Sequence, residues 1–152
     1  MRKLPWRSKF PWHKRTASRL GEKGAAAVEF ALIVPIFLVL VLGIFEFGRA
    51  FNIQVSLSEA AREAARYAAI NYADAGYSDA DAQNAGVEAA PSVDLDPDDV
   101  ELAYDAGACS PGDNVSVTVT FNTTYLTGLP GLIPGMPTDL SISSRGVMRC
   151  GG

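Results

Sequence analysis

Few residue types in this chain are suited to catalysis. The only histidine, His13, lies in a basic N-terminal stretch, so the rest of the chain has no imidazole for a Ser/His/Asp or Cys/His arrangement. Seventeen acidic residues are present, but they fall in linkers and on a helix face, which does not favour a paired-carboxylate hydrolase. We therefore expect no enzyme activity, no cofactor and no small-molecule substrate.

One acidic stretch has the spacing of a calcium-binding loop. Aspartates stand where such a loop has its first, third, fifth and twelfth residues: Asp94, Asp96, Asp98 and Asp105. However, Asp99 occupies the sixth position, where these loops use glycine, and Pro97 stiffens the chain. We predict a solvated linker and no bound metal, with a calcium site as the alternative.

The charges divide the chain into two parts. Residues 1–24 carry eight Lys and Arg against one acid, whereas residues 25–152 carry five Arg and sixteen acids. The basic stretch directly precedes an apolar run, in which residues 30–45 have no charge. A basic tail beside such a run indicates a membrane rather than nucleic acid, so we expect no nucleic-acid partner.

The apolar run is long enough to cross a lipid bilayer. Taken from residue 25 to residue 47, it spans roughly 35 Å as a helix, against a hydrocarbon core of about 30 Å. A secretory signal peptide is the alternative, but its apolar region normally ends after about 7–15 residues. Because positive charge stays in the cytoplasm, the N-terminus is predicted inside. The expected organisation is a basic cytoplasmic leader (1–24), a transmembrane helix (25–47) and an extracytoplasmic domain (48–152).

The outer domain is predicted to be α+β. Helical character continues from Gly48 to Ala69, with alanines at i, i+4 spacing. These alanines either permit another helix or a sheet to approach closely, or are present only because alanine favours the helix. A second helix is predicted from the Ser78 and Asp81 capping pattern to about Ala90. Strands are predicted at residues 100–104, 115–122 and 140–148, the second with clear period-two alternation. They form an antiparallel three-stranded sheet that the outer half of the long helix covers, and the loop at 127–138 is irregular.

The two cysteines, Cys109 and Cys150, both fall in the predicted outer domain. Oxidation is permitted there, so we expect them to form a disulfide. Two free thiols or a metal pair are the alternative, which the absence of an accompanying histidine or further cysteine disfavours.

The segment at the membrane boundary is unusual. Gly24 is followed by small residues and then by Glu29 inside an apolar helix, where an acid costs about 2.5–3.5 kcal/mol or more. Glu29 either serves a specific purpose or lies at the cytoplasmic interface and reaches the headgroups. Further along, Pro35 interrupts the helix hydrogen bonding, and Glu46 and Arg49 are three apart and able to pair at the outer interface.

Several segments together resemble one family. They are GAAAVEFALIVP from Gly24, GIFEFGR from Gly43, AAREAARYA from Ala60, and the last predicted strand with its Val-Met-Arg ending at Arg149. These are similar to the TadE-like family, minor pilin-like (pseudopilin) components of bacterial tight-adherence (Tad/Flp) pilus systems. The chain departs from the major pilins at Phe30, where tyrosine is common.

The resemblance implies a processing site and a set of partners. A prepilin peptidase would cut after Gly24, leaving Ala25 as the first residue and Glu29 as the fifth. The mature protein would be a single-pass protein of the bacterial cytoplasmic membrane, assembling with other pilin-like subunits and the pilus assembly machinery. The alternative function is a bitopic extracytoplasmic binding or sensor module unrelated to pili, for which the leader would only set orientation.

Overall fold

The computed structural model of this protein describes residues 20–132 and 134–151. Most of the predicted basic leader, residues 1–19, lies outside these described residues, as does Ile133. The regular elements are helices α1 (Leu20–Asn71) and α2 (Asp79–Glu88) and strands β1 (Val100–Tyr104), β2 (Asn114–Thr124) and β3 (Asp139–Arg149). Two short 3₁₀ turns cover Pro97–Asp99 and Leu129–Leu132. The chain divides between Val39 and Leu40 into two compact units, which are described separately.

In the first unit, α1 exposes apolar side chains. Nearly every residue from 24 to 39 is exposed. Within the described part of the chain, α1 is the one helix whose length and composition suit a membrane span, with a mean hydropathy of 2.8 in its most apolar window and none of that window buried. Pro35 lies inside the helix, so the carbonyl of Ala31 has no backbone donor one turn later.

In the second unit, the three strands form the predicted antiparallel sheet in the order β1-β2-β3. Val117 stands between Leu102 of β1 and Gly146 of β3 in the register. Val115, Val117 and Val119 are fully buried, while the alternating serine and threonines are not. The period-two pattern of β2 was therefore a correct indication of its buried face, and the predicted α+β fold class is confirmed.

The C-terminal half of α1 covers this sheet at very short range. The alanines of its two i, i+4 rows are buried in the core: Ala60, Ala61, Ala64, Ala65, Ala68 and Ala69. A Cβ added to Gly146 would lie only 2.6 Å from the carbonyl carbon of Ala61. Ser58 and Ser144 share a hydrogen bond of 2.9 Å between their hydroxyls across the same interface. The alanines therefore permit close approach, the first of the two interpretations given above.

The second helix packs beside β1, and the predicted capping contact is present at its N-terminus. The Ser78 N–H donates to the Asp81 carboxylate at 2.9 Å, and α2 begins at Asp79. Gly86 faces Ala64, where an added Cβ would approach to 3.1 Å of the alanine Cβ. The Gln83 amide donates to the carbonyl of Val100 at 2.9 Å, so α2 also covers part of the free edge of β1.

Candidate functional site

The predicted processing segment lies inside α1. The helix begins at Leu20, four residues before Gly24, so the Gly24–Ala25 peptide is helical. The side chains of residues 25–30 are exposed, and a Cβ at Gly24 would meet nothing within 4 Å. Only the two terminal turns of a helix lack their full set of backbone hydrogen bonds, and Gly24 lies beyond the first turn of α1. Access to this peptide bond is therefore limited by the helical backbone and not by packing.

Glu29 lies one helical turn after Ala25 on the same helix. Residues four apart on a helix have Cβ atoms about 5–6 Å apart and face the same side. The Glu29 side chain is exposed, and within residues 20–132 and 134–151 no hydrogen bond or ion pair engages it. Its carboxylate is thus free to meet an amine at residue 25 or on another chain.

Glu46 and Arg49 are much more constrained than their spacing indicated. Their closest charged atoms, Arg49 Nη1 and Glu46 Oε1, are 4.0 Å apart. The Arg49 side chain is 31% exposed and the Glu46 side chain is 12% exposed. The Glu46 carboxylate accepts the backbone N–H groups of Leu126 at 2.9 Å and Thr127 at 3.2 Å. The i, i+3 spacing of Glu46 and Arg49 predicts only that they pair with each other. It cannot predict that Glu46 binds residues about 80 positions further along the chain.

Arg49 binds the adjoining end of β2. Its guanidinium donates to the carbonyl of Thr124 at 3.1 Å and to the hydroxyl of Thr123 at 2.9 Å. Together with Glu46, it holds the chain where β2 ends and the following loop begins. We call this arrangement of Glu46 and Arg49 on residues 123–127 the helix–loop clamp.

An open apolar groove of about 360 Å³ lies beside the helix–loop clamp. Its apolar walls come from α1, from the loop after β2 and from β3: Gly43, Phe47, Ala50, Tyr125, Pro130 and Leu140. Glu46 and Thr127 border it, and both already bind within the clamp. The groove therefore offers an apolar surface and no free charged group to a ligand.

Comparison with protein families identifies the segment that contains these residues. Residues 24–66 match the family model described as TadE-like protein. This segment is TadE-like. The resemblance predicted from the sequence is confirmed there, over the residues that include Gly24, Glu29, Pro35, Glu46 and Arg49. Comparisons with curated proteins and with solved structures give no match.

The disulfide lies outside the TadE-like segment and connects to the helix just beyond it. Cys109 and Cys150 are bonded, with Cα atoms 5.8 Å apart, so the predicted pairing is present. The Cys150 N–H donates to the carbonyl of Asp113 at 2.8 Å, and the Gly151 N–H donates to that of Ala69 at 3.1 Å. The bond therefore fastens the end of β3 to the β1–β2 loop, beside the last turns of α1.

Removing this disulfide should strongly destabilise the domain of residues 48–152. Replacing both cysteines, as Cys109→Ala with Cys150→Ala, removes the cross-link between two positions that are 41 residues apart in the chain. In the chain-entropy model this loss lowers the free energy of unfolding by about 4 kcal/mol. Urea unfolding of the detergent-solubilised chain measures the change. The wild-type chain unfolded under reducing conditions is the control and should show the same loss. Equal unfolding midpoints for the variant and the oxidised wild type would contradict the prediction.

The acidic stretch from Asp94 to Asp105 makes local contacts. The Asp99 carboxylate accepts the N–H of Asp96 at 3.1 Å, and that of Asp105 accepts the Asn114 amide at 3.0 Å. No group of three or more His, Cys, Asp or Glu placed to hold a metal ion occurs among residues 20–132 and 134–151. The solvated linker stays a prediction.

A tyrosine cluster links the start of α2 to β1. The hydroxyls of Tyr77 and Tyr104 lie 3.1 Å apart, and both donate to Asp79, that of Tyr104 at 2.5 Å. Burial, and then the hydrogen bond to Asp79, raises the pKa of Tyr104 above its usual value; burial also raises the pKa of Tyr77. Because both phenols keep their protons at neutral pH, they act as donors that hold the two elements together and not as bases.

Proposed function

We propose that this chain is a TadE-like minor pilin or pseudopilin, a structural or assembly component of a bacterial Tad/Flp-type pilus and adhesion system. The match of residues 24–66 to the TadE-like family carries the proposal. That segment includes the Gly24 site and the apolar helix, which are the two parts a pilin-like precursor needs for processing and for assembly. The protein acts by packing and does not catalyse a reaction.

The chain is anchored in the cytoplasmic membrane by residues 25–47. The charge asymmetry keeps the basic leader, residues 1–24, in the cytoplasm and places residues 48–152 outside. The apolar composition of this segment, in which no residue of the most apolar stretch is buried, supports insertion of α1 into lipid. An oxidising exterior also suits the Cys109–Cys150 disulfide.

Assembly uses the exposed apolar part of α1. Among the described residues 24–39 of α1, nearly all side chains are exposed, so they can pack against lipid or against the helices of other pilin-like subunits. Small residues such as Ala31 allow helices to approach closely. The carbonyl that Pro35 leaves without a donor can be satisfied by a neighbouring helix.

Glu29 sets the register of this packing. A prepilin peptidase cutting after Gly24 creates an α-amine at Ala25, and an unpaired ammonium in an apolar assembly is costly. The Glu29 carboxylate, one turn away, pairs with this amine or with that of a neighbouring subunit. Misaligned subunits leave both charges unmatched, so the pair favours one alignment even if it adds little stability.

The variant Glu29→Gln tests this proposal. It should insert into the membrane and lose its leader normally, because neither step needs the charge. Co-purification with pilin-like subunits should fall at least about tenfold, since breaking a buried charge pair costs more than the 1.4 kcal/mol that corresponds to a factor of ten. The measurements are the N-terminal residue, the membrane fraction and the amount of co-purified subunits.

The control is Glu59→Gln, which removes the same charge at an exposed position further along α1 and should co-purify normally. Normal co-purification of Glu29→Gln would instead place Glu29 at the cytoplasmic interface, among the headgroups. If the wild-type chain keeps Met1 in a strain with an active prepilin peptidase and binds no pilin-like subunit, the result favours the sensor or binding module.

A further inference from the structure

The loop between β2 and β3, residues 125–138, has an unexpected composition for a water-exposed loop. Its sequence, YLTGLPGLIPGMPT, has no charged residue, although the rest of the predicted outer domain is strongly acidic. Leu126 is 62% exposed and Met136 is 46% exposed. Apolar side chains are favoured where they leave water, so this uncharged composition suits an apolar neighbour better than water alone.

The helix–loop clamp places this loop beside one particular part of α1. The Glu46 carboxylate accepts two of the loop's N–H groups, at 2.9 and 3.2 Å, and the adjoining groove is walled by Gly43, Phe47 and Ala50. Glu46 is also the first charged residue after the uncharged run of residues 30–45. The loop therefore starts within one side chain's length of the point where the apolar run ends.

We propose that the described part of the β2–β3 loop, residues 125–132 and 134–138, lies in the lipid interface of the outer leaflet, as a second membrane contact beside the helix. This inference rests on the proposed anchoring of residues 25–47, because that anchoring puts Glu46 at the outer boundary of the bilayer. Lipid is then the medium next to the loop in every inserted copy. The uncharged composition fits the acyl boundary, and Tyr125 has the amphipathic side chain that favours the headgroup level.

The clamp explains how an irregular loop can lie at this depth. Backbone N–H groups in an apolar environment are costly unless they are paired. Glu46 pairs those of Leu126 and Thr127, and Arg49 pairs the carbonyl of Thr124. In turn, the loop backbone provides two donors for the Glu46 carboxylate, and the end of β2 provides acceptors for Arg49.

Tryptophan fluorescence in vesicles tests the location of the loop. Full-length chains carrying Trp6→Phe and Trp12→Phe, which remove both native tryptophans, receive one new tryptophan each, as Leu126→Trp or Met136→Trp. They are reconstituted in vesicles of phosphatidylcholine and phosphatidylglycerol with or without brominated acyl chains. The expected result for both is a blue-shifted emission that brominated lipid quenches and aqueous iodide does not.

Two matched controls separate the loop from the anchor. Phe37→Trp reports insertion of the span and should be quenched by brominated lipid. Val147→Trp, at a position that is 54% exposed on β3, should respond only to iodide. The residue beside it, Gly146, packs on Ala61. Ala61 is about 22 Å along the helix from Glu46 at about 1.5 Å per residue, so this control position lies far from the proposed membrane boundary.

The outcomes distinguish the location of the loop from the anchoring of residues 25–47. Quenching of both loop tryptophans by lipid, with Val147→Trp unaffected, supports the inference. If Phe37→Trp is quenched but both loop positions behave like Val147→Trp, or are shielded from lipid and iodide alike, the loop lies in water or against protein and the inference fails while anchoring stands. If Phe37→Trp is also unquenched, the anchoring itself is wrong.

Discussion

We expect a precursor carrying Gly24→Val to keep its leader completely, and the wild-type chain to begin at Ala25 once the proposed cleavage has taken place. The proposed prepilin peptidase must bring its catalytic groups close to the backbone at residue 24, and glycine gives access that a β-branched side chain blocks. Because a Cβ at Gly24 would meet nothing within 4 Å, the substitution leaves the fold intact. Intact mass and N-terminal sequencing of protein from a strain with an active prepilin peptidase measure the result.

Gly48→Val is the matched control for this experiment. Gly48 lies in the same helix and also has nothing within 4 Å of an added Cβ, so any general effect of valine on α1 appears in both variants. The control should be processed normally. Recovery of Ala25 as the first residue of the Gly24→Val chain would show that cleavage does not need this glycine.

The second large effect is expected from Gly146→Val, which should lower the free energy of unfolding of the domain of residues 48–152 by about 3 kcal/mol or more. A Cβ at residue 146 would lie 2.6 Å from the carbonyl carbon of Ala61 and 2.9 Å from the nitrogen of Arg62. These are backbone atoms of a helix, which cannot rotate away as a side chain can. The helix must therefore move off the sheet, and urea unfolding of the solubilised chain measures the loss.

Val147→Ala controls for a change in β3 itself, since this neighbouring side chain is exposed; it should alter the free energy of unfolding by no more than about 0.5 kcal/mol. A second comparison identifies the clashing atoms. Adding Ala61→Gly to Gly146→Val should not restore stability, because the close contact is with the backbone of residue 61. An unchanged unfolding midpoint for Gly146→Val would refute the close packing of α1 on β3.

The sequence by itself determined the elements whose signals are local. Alternating valines from Val115 to Val119 indicated both the strand and its buried face, because side chains in a strand point to opposite sides in turn. Ser78 and Asp81 marked the start of α2 because a helix N-terminus needs partners for its free N–H groups. The uncharged run after the basic leader indicated a membrane span, and the segments around Gly24 and Glu29 indicated the TadE-like resemblance.

Only the tertiary structure decided what depends on residues far apart in the chain. Spacing indicated that Glu46 and Arg49 pair with each other, yet their shorter contacts are to residues 123–127, about 80 positions away. Likewise, Gly146 reads as a weak point in a strand, but the fold places it against the backbone of Ala61. Local patterns indicate the secondary structure and the buried face of each element. The partners of a polar side chain depend on how those elements pack together. Packing brings together positions that are far apart in the sequence, so no local spacing can predict these partners.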